Sequence, residues 1–212
     1  MLKLFVLICL ILHLCGDYKM INDKQRLIKM LVEKGFKYSP TNSFKLVSGK
    51  MSNFYINCKP VTMSAEGSQL IAREILQLFS ISSVKAIGGL TFGADPIAIS
   101  TAMYCNVTRM FSLNVFSVRK TPKEHGMRGK WVEGALDKGD RVVVVDDVVT
   151  TGGSTILAIE RLQDMGVVVD KVIILVDRQE EGGIEAIRTF APVEAIINRD
   201  ELFKEAGVDI FP

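Results

Sequence analysis

The 212-residue chain has only two histidines and one tryptophan, and its charge is nearly balanced, with 26 basic and 24 acidic residues. A net charge of +2 provides no broad basic surface for nucleic acid or for an anionic membrane. The four cysteines form no Cys-x-x-Cys pair and no Cys/His grouping with zinc-ligand spacing. These shortages argue against a nucleic-acid partner, a disulfide scaffold and a cysteine-based metal site, and free thiols suit a reducing compartment such as the cytoplasm.

Two phosphate-binding motifs are also missing, since the sequence contains neither GxxxxGK[ST] nor GxGxxG. We find no internal repeat, no low-complexity tract and no linker. Hydrophobic residues nevertheless make up 48% of the chain, which is enough to bury a core. The composition therefore indicates a folded globular domain whose anion binding, if any, depends on a local cluster.

The amino terminus is unusually apolar. A nearly unbroken hydrophobic run, Leu4–Leu14, follows a single lysine and resembles the central region of a signal peptide. It is shorter than the roughly 20 residues that span a bilayer, and it lacks the small residues of a cleavage site. We expect residues 1–19 to be a non-native or upstream-start extension outside the fold, residues 20–212 to form one domain, and no membrane partner. A targeting or anchoring segment, or a helix packed on the domain, are the alternatives.

Apolar runs of strand length recur along the rest of the chain. They are rich in β-branched residues and apolar on both faces, as buried parallel strands are. The predicted strands are Val84–Gly88, Asn114–Val118, Arg141–Val145, Lys171–Val176 and Val193–Ile197. Their alternation with helical patterns predicts an α/β fold with a doubly wound parallel sheet.

Three helices between these strands have recognisable starts. Ser64 is a predicted N-cap, and its helix places Leu70, Ile71, Ile75 and Phe79 on one face. Asp95 followed by Pro96 predicts a second N-cap with proline at the first helical position. The third helix begins at Ser154, places Ala158, Ile159, Leu162 and Met165 on one stripe, and ends at Gly166.

The segment Arg141–Thr155 has the strongest chemical signal in the sequence. A buried strand leads into two adjacent carboxylates, then into a turn of hydroxyl residues and glycines, and then into a helix. Ligands of open α/β sheets bind beyond the carboxyl ends of strands, where glycines allow close approach and a helix N-terminus favours phosphate. Because adjacent carboxylates beside a phosphate need hydroxyl groups or a metal ion, a sugar phosphate fits both parts. A plain helix-capping turn is the alternative.

A second candidate segment, Arg119–Trp131, contains five basic side chains, one acid and a histidine, with Pro and Gly to interrupt regular structure. This pattern predicts a mobile basic loop after a strand. Such a loop can close over an anionic ligand, neutralise its charge and exclude water, although a merely solvated charged loop is the alternative.

These features resemble the type I phosphoribosyltransferases, whose acidic pair holds the ribose hydroxyls of phosphoribosyl pyrophosphate (PRPP) and whose next loop wraps the 5-phosphate. Four further segments, in order along the chain, resemble those of the orotate phosphoribosyltransferase family. They are Phe44–Asn57, Gly88–Pro96, Arg119–Gly126 and Val176–Glu180. The resemblance extends from about Ile21 to Ile197. It implies a phosphoribosyltransferase fold with a small N-terminal hood, and transfer of the phosphoribosyl group to orotate in pyrimidine (UMP) biosynthesis.

The resemblance also implies roles for individual residues. PRPP-binding residues would be Asp146, Asp147, Val148, Val149, Thr150, Thr151, Gly152, Gly153 and Ser154. Orotate would contact Thr150, Arg178, Tyr55 and Ile56. Catalytic contacts to pyrophosphate would come from Arg119, Lys120, Lys123 and His125. The family further implies a homodimer that shares this loop across its interface, and Mg2+ held mainly by substrate and water.

Two positions depart from the family pattern. Some members have lysine immediately before Ser-Gly and another in the pyrophosphate loop, whereas Val47 and Phe92 stand here. Lys45, Lys50 or the backbone N–H groups of Gly88–Gly93 are candidate substitutes for those contacts.

Two other functions remain open at this point. A PRPP-sensing regulator would keep the Asp-Asp-x-x-Thr-Thr-Gly-Gly site without catalysis, but it would have no use for the basic loop and would need a nucleic-acid-binding surface. A phosphoribosyltransferase for a purine base would lack the Ser48-Gly49 and Arg178 motifs.

Overall fold

The computed structural model describes residues 23–41, 44–46, 49–80, 83–108, 112–122 and 131–209. The N-terminal extension predicted at residues 1–19 lies outside these ranges. Residues 123–130 of the predicted basic loop also lie outside them. Within the described ranges, no helix has the length and hydropathy needed to cross a membrane.

A six-stranded sheet forms the centre of the molecule. Its strands are β5 (Ala86–Leu90), β6 (Asn114–Val118), β7 (Val132–Glu133), β8 (Arg141–Val149), β9 (Val168–Asp177) and β10 (Val193–Asn198). They lie in the order β10-β9-β8-β5-β6-β7, and every pair except β6–β7 is parallel. The order of the strands therefore changes direction between β5 and β8, which are neighbours in the sheet. Ligands of such folds bind at the carboxyl ends of the strands at this point.

Helices cover both faces of this sheet. They are α1 (23–35), α2 (Lys59–Thr62), α3 (Ala65–Leu76), α4 (Ala94–Val107), α5 (Gly153–Asp164), α6 (Gly183–Arg188) and α7 (Arg199–Glu205). One buried cluster joins α1, α3 and α4 to the sheet through Leu27, Ile71 and Ile97. A second joins α5 to the other face through Ile159 and Leu162. The predicted doubly wound α/β fold is confirmed.

The N-terminal segment builds the small hood from short strands. β1 (Phe36–Tyr38) pairs antiparallel with β4 (Phe54–Ile56), and β2 (Phe44–Lys45) pairs antiparallel with β3 (Met51–Ser52). The ring of Phe54 lies 5.2 Å from that of Phe203 in α7, edge to face. The hood is thus fastened to the C-terminal helix by aromatic packing.

The predicted strands differ from the observed ones mainly in length. β6 agrees at both ends, whereas β5 begins and ends two residues later than predicted. β8 continues four residues past Val145, because its pairing with β9 extends to Val149 opposite Asp177. The acidic pair consequently lies within the strand and not in the turn that follows it.

The predicted helix starts had different outcomes. The Ser64 N-cap is confirmed, since its side chain accepts a hydrogen bond from the Gly67 N–H, but Phe79 lies beyond the end of α3. The Asp95 N-cap is wrong: Gly93 is the N-cap, and the Asp95 carboxylate accepts a hydrogen bond from Ser117 Oγ of β6 at 2.7 Å. α5 begins at Gly153, one residue before the predicted Ser154.

Candidate active site

The acidic pair lies at the carboxyl end of β8, beside the switch in strand order. The Asp146 side chain is buried, and its Oδ2 accepts a hydrogen bond from Thr155 Oγ1 of α5 at 2.8 Å. Its Oδ1 accepts from the Asp147 N–H at 3.0 Å. Asp147 is more exposed, and its Oδ1 accepts from the N–H of Val148. The two carboxylates therefore have separate environments, since Asp146 is fixed against α5 and Asp147 is partly exposed.

Burial and the neighbouring Asp147 charge raise the pKa of Asp146 to about 7, although the hydrogen bonds from Thr155 and from the Asp147 N–H oppose that shift. A carboxyl group with such a pKa pays a penalty for ionisation in the folded protein. Hydroxyl groups of a bound sugar would relieve this penalty by donating hydrogen bonds to the carboxylate.

This shift predicts a pH dependence of stability. The folded-state pKa lies above the unfolded value of about 3.9, so the folded protein holds the Asp146 proton more tightly, and the stability from this group is lost as pH rises from about 4 to 7. Between pH 5 and 8 the free energy of unfolding of ligand-free protein should fall by roughly 2 to 3 kcal/mol relative to Asp146→Asn. Urea unfolding of both proteins across this range tests the prediction, and parallel pH profiles would contradict it.

The loop after the acidic pair packs closely against α6. Gly152 has a φ of +80°, and a Cβ there would lie 2.8 Å from the Gly183 carbonyl oxygen. A Cβ on Gly183 would lie 2.4 Å from the Thr150 oxygen. Glycine is therefore required at both positions, and the resulting turn leads directly into the N-terminus of α5, which favours an anion.

Arg178 follows β9 and is only 3% exposed. Its Nε and Nη2 bond the Glu180 carboxylate at 2.8 and 2.7 Å, and Nη2 also bonds Ser52 Oγ at 3.1 Å. The guanidinium lies 4.0 Å from the centre of the Phe54 ring. Nη1 has no hydrogen-bond partner within the part of the chain that the structure describes. The guanidinium is thus held rigidly with donor capacity left for a ligand.

A cavity of about 490 Å3 brings these parts together. Its walls include the acidic strand end, the glycine turn, Arg178 and residues of the hood. The lining residues are Lys45, Leu46, Tyr55, Ile56, Lys120, Asp146, Val148, Val149, Thr150, Thr151, Gly152, Gly153, Ser154, Thr155 and Arg178. Every predicted PRPP and orotate residue except Asp147 lines this space, and its size is ordinary for a small-molecule site.

The predicted basic-loop residues are placed differently from one another. Lys120 lines the cavity, whereas the Arg119 guanidinium lies 3.8 Å from the Glu133 carboxylate of β7. The Arg119 N–H also bonds the Trp131 carbonyl oxygen, which closes the base of the loop. Lys123 and His125 lie outside the described residues.

Sequence reasoning missed the residues that hold the ligand-facing groups in place. Ser52 and Glu180 fix Arg178, and Ser52 Oγ donates to Glu180 Oε1 at 3.1 Å. Thr155 fixes Asp146. Ser52 and Glu180 stand within the quoted motifs, but only the fold shows that they meet.

Named proteins are similar to this chain over most of its length. No protein-family model matches the chain. The chain is 38% identical to orotate phosphoribosyltransferase of Aquifex aeolicus (strain VF5) over 181 residues, covering 85% of this chain and 97% of that protein. It is 36% identical to the same enzyme of Thermosynechococcus vestitus over 187 residues, covering 88% and 96%.

A solved structure gives the same assignment. The crystal structure of orotate phosphoribosyltransferase from Mycobacterium tuberculosis H37Rv in complex with PRPP is similar at a TM-score of 0.65 and 26% identity, covering 85% of this chain and 91% of that one. The parallel sheet, with its acidic strand end and glycine turn, defines a type I phosphoribosyltransferase. Within that class, the chain belongs to the orotate phosphoribosyltransferase family.

Proposed function

We propose that this protein transfers the 5-phosphoribosyl group of PRPP to orotate, giving orotidine 5′-phosphate and pyrophosphate. The observation that carries the proposal is one cavity lined by both the Asp146–Ser154 segment and Arg178. The Asp146–Ser154 segment suits a sugar phosphate, and Arg178 suits a planar anion. The reaction is a step in pyrimidine (UMP) biosynthesis. We also propose a cytoplasmic location, which cell fractionation and detection of the protein in the cytosol would test.

In this proposal the PRPP end of the cavity is the β8–α5 turn. Hydroxyl groups of Thr150, Thr151 and Ser154 and the N–H groups at the start of α5 bind the 5-phosphate. Asp146 and Asp147 accept hydrogen bonds from the ribose hydroxyls. The crystal structure of the M. tuberculosis relative contains PRPP, which supports PRPP as the ligand of this protein.

Orotate occupies the other end. Arg178 donates to its carboxylate or carbonyl edge, while Tyr55 and Ile56 lie along the ring and Thr150 bonds it where the two substrates meet. Glu180 and Ser52 keep the guanidinium in one orientation. This fixed placement supplies the positioning on which attack at a sugar carbon depends.

The reaction needs no nucleophilic side chain. Ring N1 of orotate forms a bond to C1 of PRPP as the C1–oxygen bond breaks, and that electron pair leaves with pyrophosphate. N1 loses its proton in the same reaction, to the departing pyrophosphate or to water. Lys120, with Arg119, Lys123 and His125 of the basic loop, neutralises the departing group.

Mg2+ is the proposed cofactor. The described residues contain no group of three or more His, Cys, Asp or Glu side chains that could hold a metal ion. Asp146 and the adjacent Asp147 supply the hard oxygen atoms that Mg2+ accepts, and the ion would keep several waters and take substrate phosphates as ligands. When bound, it would neutralise charge on the pyrophosphate, and Asp146 and Asp147 are the protein carboxylates that would be available to hold it.

Product identification tests the function and the cofactor together. Purified protein with PRPP, orotate and Mg2+ should release one pyrophosphate for each orotidine 5′-phosphate formed, and EDTA should abolish the reaction until Mg2+ is added back. PRPP binding without any product would instead indicate the non-catalytic regulator.

We also propose a homodimer that shares its basic loop. An apolar stripe on α4 supports it: Ile99, Met103 and Val107 are spaced four residues apart and are 49%, 62% and 77% exposed. Such a stripe is unfavourable in water and is typical of an association surface.

Subunit mixing tests the shared loop. Lys123→Ala removes a loop residue and Asp147→Asn removes one carboxylate of the acidic pair, so each protein alone should be inactive. Random reassociation gives hybrid dimers with one intact site, and activity should recover to about a quarter of the wild-type value. Verified subunit exchange without recovery would show that each chain uses its own loop.

A further inference from the structure

A lysine that the assigned site residues do not include lies beside the acidic pair. Lys59 is the first residue of α2, and its Nζ is 3.7 Å from Asp147 Oδ2. The side chain is 49% exposed. The preceding residue, Cys58, is fully buried and its Sγ donates to the Asp147 carbonyl oxygen at 3.7 Å, so the start of α2 is packed against the end of β8.

The two carboxylates face different neighbours. Asp146 faces α5 through Thr155, which belongs to the phosphate-binding end of the cavity. The start of α4 adjoins both carboxylates, because a Cβ on Gly93 would lie 2.5 Å from Asp147 Oδ1 and 3.2 Å from Asp146 Oδ1. Of the two, only Asp147 also faces Lys59, through its Oδ2. Lys59 therefore lies on the side of the pair that is away from the 5-phosphate turn.

The chemistry of PRPP identifies what occupies that side. In the sugar the C2 and C3 hydroxyls stand between C4, which carries the 5-phosphate arm, and C1, which carries the pyrophosphate. If the hydroxyls bind the acidic pair and the 5-phosphate binds the start of α5, C1 lies toward Asp147. A cation near Asp147 is then close to the pyrophosphate.

Lys59 is the cation that contacts the acidic pair. Within the described ranges, no other lysine or arginine lies within 4.0 Å of either carboxylate of the pair. Its pair with Asp147 is long and half exposed, so it contributes little to stability and little is lost when it breaks. The flexible lysine stem allows the ammonium group to move to a new partner.

We propose that Lys59 binds the pyrophosphate group of PRPP, leaving Asp147 when the ribose hydroxyls engage that carboxylate. The proposal rests on the proposed function for the identity of the ligand. The Lys59 ammonium group would then have two partners, Asp147 in the empty site and the pyrophosphate group in the PRPP complex.

Binding measurements on the full-length protein test this role without orotate. Lys59→Ala should raise the Kd of PRPP at least about tenfold, the loss expected for one charge-assisted contact, while the Kd of ribose 5-phosphate changes less than about threefold. Lys59→Arg should stay within about threefold of wild type for PRPP because it keeps the charge. The matched control is Lys85→Ala, since Lys85 is also a partly exposed, ion-paired lysine. It lies just before β5, at the amino end of that strand, whereas the acidic pair lies at the carboxyl end of β8.

Each result decides the matter. Unchanged PRPP affinity in Lys59→Ala would make Lys59 a solvated surface residue, and equal losses for PRPP and ribose 5-phosphate would show that it acts only through Asp147. Either result overturns the proposal. If wild-type protein binds PRPP but makes no orotidine 5′-phosphate, the proposed function fails while the Lys59 comparison still stands; if it does not bind PRPP, both fail.

Discussion

Arg178→Ala should lower kcat/KM for orotate by about 100-fold or more while leaving the Kd of PRPP within about threefold, because truncating a buried charged hydrogen-bond partner costs about 2 to 5 kcal/mol. Arg178 is almost completely buried and is held by Glu180, Ser52 and the Phe54 ring. Its free donor capacity is therefore preorganised for orotate, whereas the PRPP-binding turn belongs to a different element. Steady-state kinetics with each substrate varied, together with PRPP titration, give both quantities.

Two further variants separate the role of Arg178 from charge and from folding. Arg178→Lys should recover little activity, because lysine lacks the planar donor fork. Arg141→Ala removes a surface arginine at the start of β8, where it pairs with Asp170, and should leave both substrates unaffected. Equal losses for orotate and PRPP in Arg178→Ala would mean that Arg178 only supports the structure.

Changing both Asp146 and Asp147 to asparagine should abolish measurable PRPP binding. The ribose hydroxyls would lose both carboxylate acceptors, and charged hydrogen bonds are about twice as strong as neutral ones. Ligand-free protein, in contrast, should melt no lower at pH 8 than the wild type. Burial and the Asp147 charge raise the pKa of Asp146 to about 7, so the ionised pair is unfavourable in the empty site at that pH.

Asp140→Asn is the matched control for the acidic pair. The Asp137 N–H and Lys85 lower the pKa of Asp140, so its charge is favourable in the folded protein and its removal should lower the melting temperature without affecting PRPP binding. A marked fall in the melting temperature of the Asp146/Asp147 double variant, or retained PRPP affinity, would contradict a ligand-binding role for the pair.

Local patterns predicted much of the sheet and of the phosphate-binding turn. The valine run of β8, the carboxylates and the paired glycines are adjacent in sequence. The sequence alone therefore predicts that together they form a strand end and a phosphate-binding turn. The Ser64 N-cap is likewise predictable from sequence, because the N–H that it binds belongs to Gly67, three residues later.

Contacts between residues that are distant in the sequence could not be predicted from local patterns. Asp95 was expected to cap a helix, but Ser117 of a neighbouring strand bonds its carboxylate. Ser52 and Glu180 meet across 128 residues, and Lys59 lies near Asp147 only because α2 packs on the end of β8. Such contacts are set by tertiary packing, for which the sequence pattern has no local signal.

The central claim is that one cavity joins a PRPP-binding turn to an orotate-binding arginine. The most direct measurement is pyrophosphate release from PRPP with orotate, compared with adenine, hypoxanthine and uracil at equal concentrations. We expect kcat/KM for orotate to exceed that for each other base by at least about 100-fold, since only orotate presents a carboxylate to Arg178. Comparable or faster release with adenine, hypoxanthine or uracil would contradict the account.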